Sequence, residues 1–145
     1  MRTPAALLVL ALALTLAFPA QADPPLPTPP APDATEAQWA AFGENLVVAL
    51  QDGNDGVKAG AMQMIIHYGD RLDCRAAQFD VIRIYRSHPD ERMRRLAIVT
   101  AGALQSGWAM GFLRMSEPFE KSDILKKTIQ AVVHEDALRA QAVVR

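Results

Sequence analysis

Cysteine is nearly missing from this chain: Cys74 stands alone among 145 residues. No internal disulfide can form, so stability must come from packing, and a lone thiol deep in a chain is commonly a small buried hydrophobe. Charge of one sign is missing too. Fifteen basic residues face 16 acidic ones, a formal net charge of −1, which argues against a dedicated nucleic-acid binder. Catalytic motifs are equally scarce. His134-Glu135 opens like a zinc-protease helix, but Leu138 occupies the place of the second histidine. His67 and Cys74 have no second cysteine to complete a zinc set, and the chain has neither a nucleophile elbow nor a phosphate-cradling glycine loop. No stretch shows the alternation of a half-buried strand. These absences point away from an enzyme, a metal or a cofactor and toward an all-α fold.

What is present begins with a leader. Arg2 precedes a run of Leu, Ala, Val, Thr and Phe over residues 7–18, then Pro19 and the small-x-small site Ala20-Gln21-Ala22. The run is too short to span a bilayer comfortably and a processing site follows at once, so residues 1–22 read as a secretory signal cleaved after Ala22. No cysteine follows the run to carry a lipid. The mature chain is then expected to be periplasmic or secreted, with a net charge of about −2, and not an integral membrane protein. Its first ten residues, 23–32, include six prolines. Fixed φ angles and missing donors predict a disordered, polyproline-like linker there, a tether more than a docking peptide.

Ordered structure is expected over residues 33–145. Asp33 and Glu36 have the spacing of a capping box, and Trp39, Phe42, Leu46, Ala49 and Leu50 follow at helical intervals. Residues 52–56, Asp-Gly-Asn-Asp-Gly, form a turn by composition. A second helix carries Val57, Ala61, Met64, Ile65 and Tyr68 on one stripe, with Met62 and Ile66 partly outward. Arg75 to Arg86 brings Phe79, Ile82 and Tyr85 to one side. Ser87 is positioned to cap the next helix, with Pro89 in its first turn, and Met93, Ala97, Thr100, Ala101 and Leu104 repeat the inner stripe. A short helix from Trp108 to Met115 is broken by Pro118. Ser122 then caps a long helix with Leu125, Ile129, Val132 and Val133 on its inner side.

Three of these helices share a pattern. Val57-Lys58, Met93-Arg94 and Leu125-Lys126 each set an apolar residue before a cation, with Ala61, Ala97 and Ile129 four residues on. Offsets of 36 and 32 residues fall in the range of stacking helical repeats. The paired-helix unit resembles the HEAT repeat, from about Asp33 to the C-terminus. That resemblance implies an α-α superhelix of about three helical hairpins and a scaffold that binds proteins without doing chemistry. It also implies a ladder of turn acids and signature cations, here Asp52 with Lys58, Glu120 with Lys126, and Arg94 in the middle unit, where His88 replaces the acid.

Arg83, Arg86, Arg92, Arg94 and Arg95 crowd into 13 residues of the middle hairpin. With Arg94 assigned to the ladder, Arg83, Arg86, Arg92 and Arg95 are the candidate surface for an acidic protein. The expected function is that of an exported adaptor or assembly factor whose partner is a protein, not nucleic acid. The alternative is an envelope-associated binder of a small ligand, lipid or glycan, using the helical groove or the arginines.

Overall fold

The computed structural model describes residues 24–143; the expected signal segment and its cleavage site lie outside them. Among the described residues the chain is helical without strands. Its α-helices are α1 (Glu36–Asp52), α2 (Asp55–Tyr68), α3 (Gln78–Ser87), α4 (Glu91–Ala103), α5 (Gly107–Ser116) and α6 (Asp123–Val143), with 3-10 turns at Gly69–Arg71, Arg75–Ala77 and Glu117–Phe119. None of the described helices is long and apolar enough to cross a membrane.

α1 packs on α2, α3 on α4 and α5 on α6. α4 also packs against both α2 and α6, so these three helices make a continuous row. α1, α3 and α5 form a second row, more loosely joined. Composition explains the difference. α4 meets its neighbours through Ala97, Ala101 and Gly102, and a Cβ on Gly102 would come within 2.6 Å of Val132 Cγ1. Small residues let the backbones approach. Thr100 sits in the same seam fully buried, its hydroxyl donating to the Leu96 carbonyl at 2.8 Å, so no polar atom is stranded. Leu46, Leu50, Met62, Ile65, Ile98, Met110, Leu113, Leu125 and Ile129 fill one core between the rows.

Local chemistry moves several expected boundaries. The first cap is Thr35, not Asp33: the Thr35 hydroxyl accepts from Gln38 N at 3.3 Å and Gln38 Oε1 accepts from Thr35 N at 2.8 Å. A turn closed by Ala34 N on the Ala31 carbonyl uses up Asp33 before the helix begins. The third helix starts at Gln78 behind a 3-10 turn, and Phe79 faces outward, 60% exposed. Ser87 ends α3, donating to the Arg83 carbonyl at 2.8 Å, while Asp90 caps α4 by accepting from Arg92 N at 2.8 Å. Pro89 therefore precedes the cap. Met62 is fully buried and Met64 only partly, because α2 lies between α1 and α4 and its inner arc turns toward both. Ser106 and Ser122 cap α5 and α6.

The glycine of the first turn acts by size. Gly53 has an ordinary φ of −74°, but a Cβ there would lie 2.5 Å from the Ala49 carbonyl oxygen. Among the described residues the left-handed position belongs to Gln105, at φ 51° between α4 and α5. The Pro-rich lead has no regular secondary structure over residues 24–31. Leu26 lies against Gly60 of α2, and the Pro32 carbonyl accepts from Arg71 Nη1 at 3.4 Å.

Candidate functional site

α5 is apolar on two sides. Its N-cap, Ser106, accepts from Ala109 N at 3.3 Å and donates to Gln78 Oε1, which ties the start of α5 to α3. Held in that orientation, α5 turns Ala109, Met110 and Leu113 into the core. Trp108, Phe112 and Met115 then lie on the other side, and Phe119 follows on the next 3-10 turn. A helix apolar on two sides needs a second neighbour to cover the outer one. α3 covers it only in part.

The rings bridge that loose contact. Phe79 of α3 lies 4.6 Å from Trp108, Trp108 stacks on Phe112 at 5.8 Å, and Phe112 meets the edge of Tyr85 at 6.5 Å. Tyr85 is buried, but the others form a ridge with large exposed area: Trp108 at 46%, Met115 at 69% and Phe119 at 82%. Monomers seldom leave so many large apolar groups contiguous without a use. Arg86 places its guanidinium 5.8 Å over the Phe112 ring.

A polar network fixes the base of the ridge. Glu120 Oε2 accepts from the Tyr85 hydroxyl at 2.9 Å and from Arg94 Nη2 at 3.2 Å, while Oε1 accepts from Ser122 N at 3.1 Å. Arg94 Nε also donates to the Tyr85 carbonyl at 2.8 Å. Burial alone would raise the Glu120 carboxyl, but the Ser122 amide, the Tyr85 hydroxyl and Arg94 together hold it below the ordinary glutamate range. Burial, then the bond to Glu120, pushes the Tyr85 hydroxyl up to about 12.

The pairs that the resemblance implied, Asp52 with Lys58 and Glu120 with Lys126, are not formed among the described residues, and other contacts join the hairpins. Arg94 of the second hairpin pairs with Glu120 of the third. His88 Nε2 lies 3.2 Å from Asp55 of the first hairpin, and Ser122 donates to Glu91 at 2.8 Å. Each is a rung between successive hairpins. Asp52, Lys58 and Lys126 make no ion pair among the described residues. The acid that meets His88 is the first residue of α2, three beyond Asp52.

The four candidate surface arginines are all exposed, but the hairpin divides them. Arg83 and Arg86 lie opposite the buried stripe of α3 (Val81, Ile82, Ile84, Tyr85), beside the aromatic ridge. Arg92 and Arg95 lie opposite the buried stripe of α4 (Met93, Ala97, Ile98, Thr100, Ala101), on the other row. Arg83 is paired with Asp80 at 2.7 Å, whereas Arg86, Arg92 and Arg95 pair with no carboxylate among the described residues. The ridge itself was hidden in the sequence because Phe79 fits an inner stripe by spacing alone. The available signal was α5, apolar at 108, 112 and 115 as well as at 109, 110 and 113, with another aromatic at 119 just beyond it.

Other concavities differ in character. A cleft of about 690 Å³ beside Trp39 is lined by Glu36, Glu44, Asp70, Asp73 and Arg71. On the row of α2, α4 and α6, Ile66, Val99, Ala131 and Val132 floor a groove of about 260 Å³. Cys74 is buried against Gly43, its thiol pushed up to about 11 by burial and then by Asp73. Such a thiol is unreactive at neutral pH. Comparison with protein-family models, curated proteins and solved structures returns no match.

Proposed function

We propose that this chain is an exported, non-enzymatic protein-interaction module, an adaptor or assembly factor built from three stacked HEAT-like hairpins. Two rows of helices with rungs between successive hairpins support the superhelical reading. The observation that carries the function is the exposed ridge of Phe79, Trp108, Met115 and Phe119 around the half-buried Phe112, on a framework otherwise well packed. The framework holds the rings in place, and a rigid apolar surface is what a protein partner can cover at low entropic cost. The apolar run at residues 7–18 and its small-x-small site support an extracytoplasmic location.

Affinity capture from an envelope fraction tests this reading, with the wild-type chain and Met115→Glu as parallel baits. A protein retained in stoichiometric amount by the wild type and lost by the variant is the expected result. Retention by both would move the surface to the other row. Lipid or glycan without protein would replace the module with an envelope-ligand binder.

A further inference from the structure

We propose that the α3–α5 face receives an acidic amphipathic α-helix of a partner protein. The inference rests on the interaction-module reading and specifies its partner. Trp108, Phe112 and Met115 of α5 are spaced by four and three residues, the alternation of a helix-packing seam, whose complement is a second helix with the same seam, and Phe119 adds a ring from the 3-10 turn that follows. The helical part of the seam extends about 10 Å, two turns of a partner. Gly111 lies within it, and nothing approaches within 4 Å of where its Cβ would be, so a partner backbone can come close. Phe79, 60% exposed, widens the seam on the α3 side.

Charge selects the partner's flank. Arg86 stands at the seam's edge over Phe112, with no carboxylate among the described residues to neutralise it. On the opposite edge Arg114 is already paired with Asp136 at 2.6 Å. A helix whose apolar stripe is bordered by Glu or Asp on the α3 side therefore matches both the rings and the free cation. An anionic membrane would need a cluster of unpaired cations around the apolar face. This face offers Arg86, with Arg83 held by Asp80.

Fluorescence anisotropy of the purified exported chain with a labelled 21-residue peptide tests the assignment. The peptide carries Leu in the seam positions and Glu on both flanks; a twin carries Lys in place of Glu. The acidic peptide is expected to bind at least tenfold more tightly than the twin and to weaken as salt rises. Met115→Glu should weaken it by tenfold or more. Arg86→Glu should weaken the acidic peptide about tenfold and strengthen the twin. Both positions are exposed, and circular dichroism melts matching the wild type would show the variants folded.

Equal binding of the two peptides, no binding of either, or indifference to Arg86→Glu would overturn the proposal. So would binding to phosphatidylglycerol vesicles that Met115→Glu abolishes, which assigns the face to a membrane. A concentration-dependent dimer lost in Met115→Glu would assign it to a second copy. If the peptides fail while affinity capture still retains a protein that Met115→Glu loses, the module stands and only the acidic helix falls.

Discussion

Glu120 joins the second and third hairpins through one carboxylate. Its side chain is only 7% exposed and accepts from Tyr85, Arg94 and the Ser122 amide. Glu120→Ala leaves those donors without an acceptor and is expected to cost about 1.5–3 kcal/mol in urea unfolding. Lys58→Ala, with no ion pair to lose, should stay within about 0.5 kcal/mol. The pH dependence follows from the same group. A carboxyl held below its ordinary range contributes stability that is present above the unfolded value and lost as pH falls through the folded one. Glu120→Gln should therefore flatten the acid limb of a stability profile. At the other end, Cys74 moves from 9.0 to about 11 and Tyr85 from 10.0 to about 12. The folded chain keeps those protons longer, so stability should decline as pH rises through 9 to 12. Arg94 was legible as a structural cation because it stands in the repeating apolar-cation pattern. Its partner was not, since a rung crosses to the next hairpin and sequence spacing within one hairpin cannot show that register.

Helices were easier to read than their ends or their outward sides. Periodic apolar residues such as Leu46, Ile65, Ala97 and Ile129 identify inner stripes because 3.6-residue repetition survives any docking angle. Caps are decided by whichever side chain reaches the first free N–H. Thr35 and Asp90 reach it where Asp33 and Ser87 do not. Phe79 shows the other limit: it shares α3 with Ile82 and Tyr85, and two steps of three residues carry it about 120° around the helix from Tyr85, from core to surface. Packing between elements can be tested at two positions. Ile65→Ala in α2 should destabilise by about 2–5 kcal/mol, the range for emptying a core site. Gly102→Ala forces a Cβ to 2.6 Å from Val132 Cγ1 and should cost about 1–3 kcal/mol, since that methyl must give way. Adding Val132→Ala removes the obstructing methyl. The double variant should then be more stable than the two separate losses imply, a coupling visible in a double-mutant cycle. Additive losses would mean that the two helices do not meet there.

At the scale of the molecule, α2, α4 and α6 share one core with the outer row, so urea is expected to unfold the chain in a single transition, coincident by far-UV circular dichroism and tryptophan fluorescence. Trp39 and Trp108 report from opposite ends of the chain. Two separated transitions would show hairpins that fold independently. Mass spectrometry of the extracytoplasmic chain should find its first residue to be Asp23. That the fold is all-α was legible because helical periodicity is a property of sequence alone. The proposed binding face was not. Arg83, Arg86, Arg92 and Arg95 cluster in sequence, yet hairpin geometry sends two of them to each row, and the ridge combines α3 with α5 across about 30–40 residues. The most direct test is a photo-crosslinking walk in the native envelope. A photoreactive residue is placed singly at Phe79, Met115 and Phe119 on the ridge, and at Ile66, Arg92 and Leu138 on the other row. Crosslinks to one protein from the three ridge positions, with none from the other three, are the expected result. Crosslinks confined to Ile66, Arg92 and Leu138 would contradict the assignment of the ridge as the binding face.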